Sequence, residues 1–149
     1  MLAMIGVPAL LLLLFAWQLV SPLLRTEIAV REPTSIARVA VEPDANGTRI
    51  DFVVVDRMGQ ETTADGDLRV KLREPDGAVW QTSRPLSSSD FGPIPAGGLL
   101  AGRLGYSVTV PAGDWSRPPR HGGAASVTVT IQPSNGSSPI STLEETRFP

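Results

Sequence analysis

The chain reads as an all-β protein: an antiparallel β-sandwich of about seven strands, preceded by one N-terminal transmembrane helix. Three observations carry that expectation. Residues Leu2 to Leu24 hold no charged side chain, whereas all charges lie from Arg25 onward. The later chain alternates apolar and polar residues with the period of a strand. Asn-Gly and Asp-Gly pairs separate the alternating runs, as tight hairpins require.

The N-terminal run, MLAMIGVPALLLLLFAWQLVSPLL, has 23 residues between Leu2 and Leu24. As a helix it would extend roughly 34 Å, enough for a bilayer core of about 30 Å. Its apolar character covers all faces, unlike that of a helix on a soluble core. Trp17 near its end suits the headgroup level. No Lys or Arg precedes Arg25, and no Ala-x-Ala follows the run, so a retained anchor at 1–24 fits better than a cleaved signal. Arg25, Arg31 and Arg38 follow the span, which by the positive-inside rule favours a cytoplasmic C-terminal part. The exported character of the β-domain argues for the opposite side, and an extracytoplasmic domain on a single-pass cell-membrane anchor is expected. Residues 25–34, polar and containing Pro33, read as a tether, and 35–149 as the sandwich domain.

The strands follow in order. Ile36 to Glu42 places Val39 and Val41 on one face, and Arg49 to Asp56 (RIDFVVVD) places Ile50, Phe52 and Val54 together. Leu68, Val70 and Leu72 alternate with Arg69, Lys71 and Arg73. Ala78 to Ser83 carries Val79 and Trp80. Leu104, Tyr106, Val108 and Val110 alternate, as do Val127, Val129 and Ile131, and Ile140 to Phe148 supplies a final run. Asn46-Gly47, Asp76-Gly77 and Asn135-Gly136 mark turns, with Pro75-Asp76-Gly77 the clearest hairpin. Two longer segments, Arg84 to Gly102 and Pro111 to Gly123, break the rhythm, and loops of such length are usually functional or disordered.

The stretch VVVDRMGQETTADGDLRVKLREPDGAVW, followed by SSSDF, resembles immunoglobulin-like or fibronectin-type-III-like modules of bacterial envelope proteins. The likeness covers about Arg49 to Tyr106 and lies in turn chemistry and alternation. It implies a binding or spacer module with no catalytic residues to carry over. The antibody-type cysteine pair is absent.

Composition excludes several chemistries. With 13 basic and 15 acidic residues the net charge is −2, without the concentrated basic face of a nucleic-acid-binding protein. There is no cysteine, hence no disulfide, thiolate metal site or cysteine nucleophile. His121 is the single histidine, no G-x-S-x-G elbow exists, and Ser87, Ser88, Ser89 and Asp90 read as a polar loop rather than part of a triad. Asp56, Glu61, Asp65 and Asp67 gather oxygens of the kind calcium takes, but their spacing is not that of an EF-hand, and acidic turn residues explain them more simply. Gly97 to Gly102 lacks the Lys-Ser/Thr of a phosphate loop. No cofactor is expected. Asn46-Gly47-Thr48 and Asn135-Gly136-Ser137 match the glycosylation sequon but are equally hairpin turns.

Trp115, Arg117, Arg120 and His121 form the candidate partner-binding site, because Trp and Arg dominate binding hot spots and Pro118-Pro119 stiffens their loop. The competing reading has Trp115 capping the core while the arginines stay solvated. The function expected is a membrane-anchored interaction module, an accessory or structural component of the envelope. Its partners would be the bilayer through residues 2–24 and another envelope protein. A secreted surface- or carbohydrate-binding module and a metal-assisted enzyme at the acidic turns are the alternatives.

Overall fold

Among the described residues, alternation and hairpin glycines generate eight strands. They are β1 (Ser35–Asp44), β2 (Gly47–Val55), β3 (Gly66–Glu74), β4 (Gly77–Leu86), β5 (Gly92–Pro93), β6 (Leu104–Pro111), β7 (Ala124–Pro133) and β8 (Ile140–Arg147). In this computed structural model the described residues are 31–149, of which Glu32 to Pro149 form one compact unit. The expected anchor at 1–24 and the start of the tether lie outside the described residues. Among the described residues no helix is long and apolar enough to cross a membrane.

The strands make two antiparallel four-stranded sheets, β1-β2-β6-β5 and β4-β3-β7-β8, consistent with a β-sandwich. The seven expected runs correspond to the seven long strands. The eighth strand, β5, is two residues long and pairs Gly92 with Gly105 and Pro93 with Leu104. It falls within the segment 84–102 that reads as a loop in sequence, because a strand so short leaves no alternation to detect. The beginning of that same segment also extends β4 to Leu86.

Pairs Asp44–Gly47 and Glu74–Gly77 close the β1–β2 and β3–β4 hairpins. Among the described residues only glycines have positive φ, so the unusual conformation falls on Gly47 (φ 146) and Gly77 (φ 138) rather than on the preceding Asn46 and Asp76. At Gly47 a Cβ would also run into the Val110 carbonyl of the neighbouring β6.

The inward phases of β1 to β4, β6 and β7 build one core between the sheets, and Ile140 of β8 packs against it. Ile50, Phe52 and Val54 meet Leu68, Val70, Leu72, Val127, Val129, Ile131, Val108 and Val110, all essentially inaccessible. Phe52 stacks on Tyr106 at 5.4 Å between ring centroids. The Tyr106 hydroxyl accepts from Ala64 N at 2.8 Å and donates to Ala64 O at 3.2 Å, tying β6 to the β2–β3 connection. Leu104, at the start of the β6 alternation, is exposed.

β2 is buried on its outer face as well. Segment 94–103 crosses that face, and Ile94 and Leu100 join Val53, Val55 and Ala40 in a second apolar cluster. Glu42 accepts from Leu99 N at 2.8 Å, so a side-chain carboxylate caps the glycine-rich turn of this strap. Arg103 pairs with Glu61 at 2.8 Å at its far end.

Candidate functional site

Strand direction places the connections. Ser35 pairs with Val55 at one end of the sandwich, while the Asp44–Gly47 turn, the Glu74–Gly77 turn, segment 112–123 and Phe148–Pro149 gather at the other. Trp115, Arg117, Arg120 and His121 therefore lie at the end remote from the point where the chain enters β1.

Glu74 organises that end. It sits on the inward phase of β3 after Leu68, Val70 and Leu72 and is only 5 % exposed. A buried carboxylate needs donors. Glu74 receives the Arg117 guanidinium at 3.1 Å and the Arg120 backbone N–H at 2.7 Å. Asp76 adds a second acceptor, 2.9 Å from the Arg120 guanidinium. Ser116 N donates to Val79 O at 2.8 Å, pinning the loop to β4. Trp115 is half-buried, packs on the main core and meets Phe148 edge-on at 5.5 Å. Gly122 N donates to Phe148 O, and Phe148 N to Gly123 O. His121 Nδ1 lies 2.7 Å from the Pro149 backbone oxygen, within hydrogen-bond distance.

The four candidate residues thus share one loop but divide its tasks. Trp115 faces the core, Arg117 turns toward a buried acid, and Arg120 and His121 remain exposed. Beside them a groove of about 420 Å³ is lined by Gly47, Thr48, Ala112, Trp115, Pro118, Pro119 and His121. Sequence reading missed Glu74 and Asp76. The signal was present: the alternation that buries Leu68, Val70 and Leu72 reaches Glu74 in the same phase.

The other candidates take separate roles. Asp56 accepts from Met58 N at 2.8 Å and Gln60 N at 3.0 Å, Glu61 binds Arg103, and Asp65 accepts from Ser88 N at 2.7 Å. Among the described residues no three His, Cys, Asp or Glu side chains are grouped as a metal site would need. Ser87 and Asp90 form a reciprocal capping box on a single 3-10 turn, Ser88–Asp90. Asn135 accepts from Ser137 N at 2.9 Å within its turn.

A second polar arrangement lies under the strap. Arg49 Nε is 2.8 Å from Asp51, which is fully buried and also accepts from Ser107 Oγ at 2.7 Å. The hydrogen bond to Asp51 raises the Arg49 pKa against the opposing effect of burial. Both residues occupy the outward phase of β2, where alternation alone expects solvent.

No protein-family model matches the chain, and no curated protein matches it either.

Proposed function

We propose that the chain is a membrane-anchored, immunoglobulin-like interaction module that captures an envelope protein through the end of the sandwich bearing segment 112–123. One observation carries this reading: the Trp115–His121 loop is held in place by Glu74, Asp76 and Val79, borders a groove, and lies remote from Ser35. Such preorganisation lowers the ordering cost of binding. The strand orders β1-β2-β6-β5 and β4-β3-β7-β8 support the immunoglobulin-like part, because they follow the ABED and CFG arrangement with one added strand beside C. The charge-free run at 2–24 supports the anchor.

Arg120→Ala combined with His121→Ala tests the site. Both side chains are exposed, and the Arg120 backbone bond to Glu74 survives the change. The double variant is expected to lose the proteins that co-purify with the wild-type chain after gentle detergent extraction, while its melting temperature stays close to wild type. Unchanged co-purification would overturn the site. A mature N-terminus beyond Leu24, read by protein sequencing, would overturn the anchor.

A further inference from the structure

We propose that the outer face of the β4-β3-β7-β8 sheet is a binding track for a linear acidic polysaccharide. Arg69, Lys71 and Arg73 occupy alternate positions of β3, so their side chains leave the same face of the sheet. Successive ones stand roughly 7 Å apart at about 3.4 Å per residue. The strand register sets Thr130, Thr128 and Ser126 of β7 beside them. On the other side it sets Ser83 and Gln81 of β4 beside Arg69 and Lys71. Arg69 and Lys71 therefore stand between hydroxyl and amide groups, while Arg73 has Ser126 on one side and Ala78 on the other. Two grooves follow this cationic row. One, of about 440 Å³, is lined by Arg69, Lys71, Gln81, Ser83, Thr128 and Thr130. The other, of about 660 Å³, includes Arg73, Ser126 and Arg147, together with the acids Glu74 and Glu145.

Within the described residues, none of the ion pairs involves Arg69, Lys71 or Arg73. Asp67 precedes the row on the same face of β3, and Glu145 flanks it beyond Ser126, so the track is three cations long. Like charges set in line without acids between them favour a ligand that carries repeated anions.

The rest of the face selects the kind of polyanion. Protein interfaces are anchored by aromatic residues and deplete lysine at their centres. This face carries no aromatic side chain, and Leu143 is its exposed large apolar group. Single-stranded nucleic acid needs aromatic platforms for its bases, which are equally missing. A sugar polymer bearing carboxylates or sulfates offers anions for the guanidinium and ammonium groups, with hydroxyls between them to meet Thr, Ser and Gln. Arg69, Lys71 and Arg73 lie outside segment 112–123, and the larger groove meets the partner site proposed above at Glu74, the buried acid that holds Arg117.

The full-length protein is titrated with alginate, a linear polyuronate, at low and high salt. Neutral dextran, oligothymidylate and phosphatidylglycerol vesicles serve as comparison ligands. Alginate is expected to bind and to be released as salt screens the contacts. Arg69→Gln, Lys71→Gln and Arg73→Gln together should weaken it at least about tenfold. Arg38→Gln, Arg57→Gln and Arg120→Gln remove the same charge from exposed positions outside this sheet and should leave binding nearly unchanged. If the first triple variant unfolds, Lys71→Glu alone carries the test and must show the loss. The proposal fails if alginate binds no better than dextran, if both triple variants lose binding equally, if Lys71→Glu binds like wild type, or if oligothymidylate or vesicles bind more tightly than alginate.

Discussion

Tyr106 shows how much one side chain contributes in this sandwich. Its ring stacks on Phe52 in the core, and its hydroxyl serves both backbone groups of Ala64. Burial is the main cause that pushes its pKa above the ordinary 10, reinforced by Asp65 and Asp90 and opposed by the Ala64 bond. A raised pKa means that the folded state holds the proton after the unfolded state has lost it. The associated stability is complete below about pH 10 and falls as pH rises through the folded value. Tyr106→Phe is expected to cost about 1–3 kcal/mol at neutral pH, because it leaves the Ala64 N–H buried and unpaired. It should also reduce the alkaline loss of stability that begins near pH 10. Denaturant unfolding of wild type and variant across pH 7 to 11 checks both statements.

At the scale of elements, the strap 94–103 is the feature that sequence reading described least well. Alternation assigns Arg49, Asp51, Val53 and Val55 to a solvated face. The strap covers that face, so Asp51 becomes inaccessible and β2 is buried on both sides. Arg49 and Asp51 compensate each other beneath it, and Arg49 also reaches Pro95 O at 3.4 Å. Removing one partner of such a pair leaves a buried charge alone. Asp51→Ala is therefore expected to destabilise the protein by about 3–5 kcal/mol, measured by urea unfolding, and to release the amides of segment 94–103 to hydrogen exchange. Unaltered protection there would show that the strap holds without the pair. The inward faces of β2, β3 and β7 were legible, because their two-residue period survives in the sequence. The strap was not, since its few apolar residues, Ile94 and Leu100, carry no period and meet partners far along the chain.

For the molecule as a whole, Trp115 links distant parts of the chain. It joins segment 112–123 to the main core and to Phe148 beyond β8. Trp115→Ala is thus expected to lower stability by about 1–3 kcal/mol, a part of the full cost of deleting a buried Trp because this one is half-buried; calorimetric melting checks it. That packing is why Arg120 and His121, rather than Trp115, are the positions at which the proposed capture of a partner is tested apart from folding. The sandwich gathers its two hairpin turns and this loop at one end and admits the chain at the other. The sequence by itself determined the all-β class, the long strands and the two closing hairpins, because alternation and turn glycines are local signals. It also located the charge-free run at 2–24, since hydropathy needs no fold to be read. Only the tertiary structure decided that Glu74 receives Arg117, that Asp51 is buried beneath a strap, and that Arg69, Lys71 and Arg73 stand beside the hydroxyl row Thr130, Thr128 and Ser126. Each of these depends on which strands and loops lie side by side, and pairing between residues far apart in the chain leaves no periodic trace in the order of the residues.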